Sequence, residues 1–82
     1  MVIVTFDASF EKTIKKLKDS TTKTKLKKQI QKIIENPEIG KPMRYGRKGT
    51  RELYTPPFRL SYAYHKEQDE IVFLDVYHKD EQ

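Results

Sequence analysis

The arginines of this chain lie in one short segment, and their side chains suit phosphate binding. Residues 41–59 contain six cations and one acid, Glu52. The six cations are Lys41, Arg44, Arg47, Lys48, Arg51 and Arg59, which include every arginine of the protein. Because the planar guanidinium group binds a phosphate through two parallel hydrogen bonds, the segment predicts a grip on a phosphodiester.

The composition describes one small basic domain. The chain has 82 residues, a net charge of +5 and no cysteine, so no disulfide or thiolate metal site can stabilise it. No apolar run approaches the ~20 residues that span a bilayer, and the amino end lacks the pattern of a signal peptide. We expect a cytoplasmic protein that does not enter a membrane and binds an anionic partner rather than a small-molecule substrate.

The apolar pattern predicts two helices followed by a sheet. Residues 2–6 read as a first strand, and Ser9 is a candidate cap for the first helix. Two stripes at helical spacing follow, and Asn36-Pro37 ends the second of them. From residue 43 onward the apolar period is two, with a turn at Gln68-Asp69. We therefore predict a single α+β domain over residues 1–82, a two-helix hairpin packed on one face of a small antiparallel sheet in the order β-α-α-β-β-β.

Strand parity divides the side chains of the sheet into two faces. We expect a helix-facing set that consists of Leu53, Leu60, Tyr62, Leu74 and Val76. The opposite, open face would then carry Glu52, Tyr54, Arg59, Ser61, Asp75, Tyr77 and Lys79. A polar, aromatic and partly cationic sheet face suits single-stranded nucleic acid, although a plain solvated face has the same parity.

Several motifs in sequence order resemble the RelE/ParE toxin superfamily. They are Lys41-Pro42-Met43-Arg44, Arg51-Glu52-Leu53-Tyr54, Phe58-Arg59-Leu60-Ser61-Tyr62 and Val76-Tyr77-His78-Lys79-Asp80, preceded by a helical hairpin that ends in Asn-Pro. The resemblance implies the toxin of a type II toxin–antitoxin pair, with a cognate antitoxin as partner. Its RelE-like branch cleaves mRNA on the ribosome, and its ParE-like branch poisons DNA gyrase.

The resemblance also implies roles for individual residues. Arg59 matches the arginine that contacts the scissile phosphate, Lys79 the cation near the end of the last strand, and Arg44 the basic residue of the turn. Glu52 and Tyr54 depart from the family, because they replace two cations of the open face.

Metal-independent RNA cleavage needs a base for the 2′-hydroxyl, cations for the transition state and an acid for the 5′-oxygen. Arg59 and Arg44 are the candidates for charge stabilisation, and Lys79 for charge stabilisation or proton donation. His78 is a candidate acid or base, although parity directs it toward the core. We expect neither a metal ion nor another cofactor.

The remaining candidates bind RNA rather than cleave it. They are Lys41, Arg47, Lys48 and Arg51 as phosphate ligands, and Tyr54 and Tyr77 as surfaces on which bases stack. Glu52 opposite Arg59 is more simply a cross-strand salt bridge than a catalytic pair. Three hypotheses stay open at this point: a ribosome-dependent endoribonuclease, a gyrase inhibitor, and a binding module without catalysis.

Overall fold

The chain folds into a helical hairpin against a five-stranded sheet. The computed structural model describes residues 2–42 and 49–78. Its elements are β1 (Ile3–Phe6), α1 (Ala8–Lys16), α2 (Ser20–Glu35), β2 (Lys41–Pro42), β3 (Thr50–Thr55), β4 (Phe58–His65) and β5 (Glu70–His78). The strands lie in the order β1-β5-β4-β3-β2, which confirms the predicted α+β class.

Two strands go beyond the predicted antiparallel sheet. β1 runs parallel to β5, with Ile3 opposite Glu70, whereas all the other pairs are antiparallel. The two-residue strand β2 pairs with β3 and extends the sheet at its other edge. As a result, the amino-terminal strand lies beside the last strand, and Lys41 lies beside β3.

Aspartates begin both helices. The carboxylate of Asp7 accepts a hydrogen bond from Ser9 N at 2.9 Å, so Asp7 and not Ser9 caps α1. The carboxylate of Asp19 likewise accepts from Thr21 N at 3.0 Å at the start of α2. Both residues satisfy an otherwise unpaired N–H of the first helical turn. The predicted end of α2 is confirmed, since Asn36 is its C-cap residue and Pro37 follows.

The core lies between the helical hairpin and one face of the sheet. Its buried members are Phe10, Leu26 and Ile33 from the helices, and Leu60, Tyr62, Ile71, Phe73 and Val76 from β4 and β5. The helical stripes predicted from the apolar spacing supply Phe10, Leu26 and Ile33. This arrangement leaves the other face of the sheet without helices, as the parity predicted.

A β-bulge changes which residues of β5 face the helices. Ser61 pairs with Asp75 but Tyr62 pairs with Phe73, so Leu74 is an extra residue in β5. The prediction that Leu74 faces the helices is therefore wrong, and Phe73 occupies the core instead with no exposed surface. The extra residue shifts the alternation by one position, which pure parity cannot detect.

The connection between β4 and β5 is short, as predicted. A 3₁₀ turn covers Lys66–Gln68, and Asp69 follows in the left-handed region with a φ of 49°. The carbonyl of Asp69 then accepts a hydrogen bond from Ile3 N at 2.8 Å, which links this turn to the first strand. Among the helices that the structure describes, none is long and apolar enough to cross a bilayer.

Candidate functional site

Arg59 lies in the middle of the open face, between two tyrosines. It pairs with Tyr54 of β3 on one side and with Tyr77 of β5 on the other. Because residues directly opposite each other in neighbouring strands project from the same face, the three side chains form one row across the sheet. This row, which we call the arginine row, agrees with the face predicted from strand parity.

Glu52 ties the arginine row together. Its Oε1 accepts a hydrogen bond from Arg59 Nη1 in a close ion pair, and its Oε2 accepts from the hydroxyl of Tyr77 at 2.6 Å. The Glu52 side chain is 18% exposed and that of Arg59 is 30% exposed. The cross-strand salt bridge predicted from the sequence is therefore present, and it includes Tyr77 as a third member.

The environment of Glu52 keeps its carboxylate ionised. Burial raises its pKa, but the hydrogen bonds from Tyr77 and Arg59 and the positive charge of Arg59 outweigh burial and lower the pKa below its ordinary value. A general base works best when its pKa is close to the ambient pH. Glu52 is therefore a poor proton acceptor and a good anchor for Arg59.

The guanidinium group of Arg59 also packs on an aromatic ring. Its Cζ lies 5.5 Å from the centroid of the Tyr54 ring, within the range of a cation–π contact. Tyr54 is 46% exposed, so a large part of its side chain is accessible to solvent. Within residues 2–42 and 49–78, the buried Nε of Arg59 has no hydrogen-bond acceptor. The hydrogen bond that the structure gives between this guanidinium group and Glu52 uses Nη1.

A second row on the open face balances the charges of the first. Lys41 pairs with Glu52, Glu52 with Ser61, and Ser61 with Asp75. The exposed Lys41 therefore projects beside Glu52, while Asp75 accepts a hydrogen bond from Val76 N at 2.8 Å. The two rows together hold the cations Lys41 and Arg59 against the acids Glu52 and Asp75, so this part of the face is balanced rather than basic.

Arg51 lies on the helix-facing side of the sheet, opposite to Arg59. It pairs with the buried Tyr62. Its Nη1 donates to the carbonyl oxygens of Glu38 at 3.1 Å and of Gly40 at 2.8 Å. The contact that the structure gives to Arg51 is therefore with the loop between α2 and β2, whereas the sequence predicted contact with RNA.

The same loop is held by Tyr62, a contact that the sequence did not predict. The Tyr62 hydroxyl accepts from Gly40 N at 2.9 Å and donates to the carbonyl of Pro37 at 2.8 Å. Tyr62 was expected in the core, and it has no exposed surface. A buried tyrosine hydroxyl needs a polar partner, and that rule was the available signal. Tyr62 and Arg51 together fix the loop that leads into Lys41.

His78 lies at the end of β5, away from the arginine row. It pairs with Phe58, and the two rings meet edge to face with their centroids 5.6 Å apart. Phe58 packs against the core, so His78 is on the helix-facing side, as its parity predicted. The arginine row therefore does not include His78.

Four predicted site residues lie outside the described residues: Arg44, Arg47, Lys48 and Lys79. Their roles stay predictions from the sequence. Within the described ranges, no three histidine, aspartate or glutamate side chains are grouped closely enough to hold a metal ion.

An apolar groove runs between the helices, on the other side of the protein from the arginine row. It encloses about 590 Å³, and its apolar lining comes from Phe6, Phe10, Ile14, Leu26 and Ile30. Lys15, Lys23 and Lys27 surround this lining, with Glu11 and Gln31. The groove thus combines an apolar floor with a mainly cationic rim.

Comparison with known structures gives the same fold. The toxin in the Escherichia coli RelBE toxin–antitoxin complex superposes with a TM-score of 0.81 at 24% identity, over 95% of this chain and 96% of that one. The Mycobacterium tuberculosis RelBE2 complex gives a TM-score of 0.79 at 24% identity, over 95% and 98%. The E. coli DinJ-YafQ complex gives 0.77 at 18% identity, over 99% and 97%. These identities show a shared fold, and no curated protein sequence matches the chain.

A family model settles the relationship. The model described as "ParE toxin of type II toxin-antitoxin system, parDE" matches residues 4–82, which is nearly the whole chain. The match includes both helices, most of β1 and the strands β2 to β5, together with the arginine row and Glu52. The chain belongs to the ParE toxin family of type II toxin–antitoxin systems.

Proposed function

We propose that this toxin cleaves mRNA on the ribosome and that a cognate antitoxin silences it. The observation that carries the proposal is the position of Arg59, a guanidinium group at the centre of an open sheet face with an aromatic ring on each side. This combination provides one bidentate phosphate ligand and two surfaces for stacking bases. The shared fold with RelE and YafQ supports the same reading.

The reaction would be a transfer within the RNA strand. The 2′-hydroxyl loses its proton and its oxygen forms a bond to the adjacent phosphorus. The bond from phosphorus to the 5′-oxygen then breaks, and that oxygen takes up a proton. The products are a 2′,3′-cyclic phosphate and a 5′-hydroxyl. Arg59 would stabilise the extra negative charge on the phosphate oxygens in the transition state.

The predicted groups differ in how well they suit the proton transfers. Glu52 is ionised, and its oxygens already accept from Arg59 and Tyr77, so it is a weak base. The family resemblance implies Lys79 as the proton donor and Arg44 as the second cation at the phosphate. His78 is a less suitable candidate, because its ring packs on Phe58 on the helix-facing side of the sheet and Arg59 lies on the open face.

The antitoxin surface that the structure supports is the groove between α1 and α2. Its apolar floor and its rim of Lys15, Lys23 and Lys27 complement an amphipathic segment that carries acidic residues beside its apolar face. The known structures with this fold include toxins bound to antitoxins, which supports an antitoxin as the occupant. Bound in this groove, such a segment would lie across the sheet from Arg59.

Charge reversal tests this surface. The double variant Lys15→Glu/Lys27→Glu should bind the antitoxin encoded beside the toxin gene about tenfold more weakly by calorimetry. The matched control is Lys12→Glu/Lys28→Glu, which changes the net charge equally at two exposed lysines that do not line the groove. Equal weakening by both variants would show that overall charge, and not the groove, attracts the antitoxin.

DNA gyrase inhibition is the second candidate function. The family model that matches the chain is that of the ParE toxin. In addition, the ion pair with Glu52 partly neutralises Arg59, the arginine that RNA cleavage needs. On this alternative, the open face would contact gyrase rather than a phosphodiester. Arg59 would then act as a contact residue and no bond in RNA would break.

One pair of assays separates the two functions. The wild type and Arg59→Ala are added to a translating extract, and primer extension maps the mRNA; supercoiling by purified gyrase is followed in parallel. RNA cleavage predicts cuts within codons at the ribosomal A site that disappear with Arg59→Ala, together with unchanged supercoiling. Intact mRNA and blocked supercoiling would establish gyrase inhibition instead.

A further inference from the structure

Arg59 already has an anion bound to it, and that anion belongs to the protein. Glu52 Oε1 accepts from Arg59 Nη1, which is one of the donors that a bidentate phosphate contact uses. Glu52 reaches Arg59 diagonally across the β3–β4 pair, since the residue directly opposite Arg59 is Tyr54. We propose that Glu52 is an internal competitor of phosphate at Arg59, so that RNA must displace the Glu52 carboxylate before Arg59 can bind it. The inference rests on the proposed function, because it names what regulates the same site.

The Glu52 carboxylate has other polar partners nearby when its ion pair with Arg59 is broken. Its Oε2 accepts a hydrogen bond from the Tyr77 hydroxyl at 2.6 Å. In the neighbouring strand β2, the residue opposite Glu52 is the exposed Lys41. Tyr77 and Lys41 lie on opposite sides of Glu52 in the sheet, so a carboxylate displaced from Arg59 can keep the hydrogen bond from Tyr77 or turn towards the cation of Lys41. The displaced state therefore avoids the large cost of an unpaired buried charge.

Arg59 is equally prepared to exchange its partner. It remains 30% exposed, and its guanidinium plane is supported by the Tyr54 ring independently of Glu52. Within the described ranges, the ion pair with Glu52 is its only hydrogen bond to an acid. Phosphate that replaces Glu52 thus meets a cation that still packs on the Tyr54 ring.

Removal of the competing charge tests the inference directly. Binding of a fluorescent 2′-O-methyl RNA oligonucleotide, which resists cleavage, is measured by anisotropy at low salt. Glu52→Gln keeps the shape of the side chain and its contact with Tyr77 but removes the charge. It should tighten binding by about twofold to fivefold, the range expected for loss of one partly exposed ion pair. Glu52→Thr, a second variant suited to a strand, should tighten binding in the same direction.

Two comparisons isolate the competition from overall charge. Asp75→Asn removes the same charge from the same row of the open face without touching Arg59, and it should change the affinity by much less. In an Arg59→Gln background, Glu52→Gln should lose its effect, because there is then no arginine to release. Equal tightening by Asp75→Asn, weaker binding by Glu52→Gln, persistence of its effect without Arg59, or no binding by any variant would each overturn the inference.

Failure of the proposed function would look different. If Glu52→Gln tightens RNA binding through Arg59 but the wild type leaves mRNA intact in a translating extract, the competition is real and the cleavage proposal fails. If the wild type cuts mRNA and Glu52→Gln binds RNA no more tightly, cleavage stands and Glu52 is not a competitor.

Discussion

The Tyr62 hydroxyl joins two backbone groups that lie on either side of the turn after α2. It accepts from Gly40 N and donates to Pro37 O, so one side chain of β4 satisfies two backbone polar groups of this loop. This loop places Lys41 opposite Glu52. The position of Lys41 on the open face therefore depends on Tyr62, a residue of the opposite face.

Tyr62→Phe should destabilise the fold. The change leaves Gly40 N and Pro37 O without their partner, and unpaired buried groups cost about 1–3 kcal/mol. Urea unfolding followed by circular dichroism measures the loss. Tyr64→Phe is the control, since that half-buried tyrosine makes no hydrogen bond to any residue in the described ranges through its hydroxyl. A loss as large from Tyr64→Phe would contradict the assigned role of Tyr62.

Gly40→Ala should destabilise the protein by a steric route. An added Cβ would lie 2.6 Å from Tyr62 Oη and 3.1 Å from the Glu52 carbonyl oxygen, and the buried Tyr62 ring cannot move aside. We expect a loss of about 1–3 kcal/mol, the usual cost of overpacking. In a Tyr62→Phe background the contact with Oη is absent but ring carbon Cε1 stays 2.9 Å from the added Cβ, so the loss caused by Gly40→Ala should shrink without disappearing. Additive losses in the double variant would show that the two residues do not interact.

Gly49→Ala provides a contrast with Gly40→Ala. Nothing lies within 4 Å of an added Cβ at Gly49, but its φ is +81°. Its cost should come from the left-handed backbone alone, about 1–2 kcal/mol, and should be the same with Tyr62 or Phe at position 62. Thermal unfolding of Gly40→Ala and Gly49→Ala, each with Tyr and with Phe at position 62, distinguishes the steric cost from the conformational cost.

Arg51→Ala and Arg59→Ala should separate stability from function. Arg51→Ala removes the donor from two loop carbonyls and should lower the free energy of unfolding by about 1–2 kcal/mol. Arg59→Ala should remove RNA cleavage but change the stability less, since its ion pair is partly exposed. Chemical unfolding and the translating-extract assay, applied to both variants, measure the two effects. Full cleavage activity in Arg59→Ala would refute the assignment of the phosphate ligand.

Glu52 should make the stability depend on acidic pH. Its pKa lies below the ordinary value of 4.5, so its ionised form stabilises the folded state. That contribution is complete above about pH 4.5 and is lost as the pH falls through the lower folded pKa. The stability difference between the wild type and Glu52→Gln, measured by urea unfolding from pH 7 to 3, should narrow in this window. Asp19, whose pKa is also lowered, acts equally in both proteins. A difference that stays constant with pH would contradict the lowered pKa of Glu52.

Local patterns predicted most of the fold. The helical stripes, the stop at Asn36-Pro37 and the alternation in β4 each depend on neighbouring residues, and the structure has all of them. The error at Leu74 has a different origin. Both Phe73 and Leu74 are apolar, so the composition of β5 gave no sign of which one the bulge would turn outward.

The sequence predicted which face of the sheet each strand residue lies on, but it did not predict the contacts that depend on the path of a loop. Parity placed Arg59, Glu52 and Tyr54 together on the open face, and the structure agrees. The same parity puts Arg51 beside Leu53 on the other face, so its separation from Arg59 was detectable from the sequence. The role of Tyr62 was not, because Pro37 and Gly40 approach it only through the path of the loop.

The parallel pairing of β1 with β5 determines when the sheet can be complete. Ile3 pairs with Glu70, which the ribosome adds only after both helices and the strands β2, β3 and β4 have been made. Tyr77, which completes the arginine row, comes later still. A nascent chain that stops before β5 therefore has an unpaired first strand, an open core and a row without its third member. The order of the strands thus delays a finished open face until β5 has been made, so copies that end before β5 cannot display it.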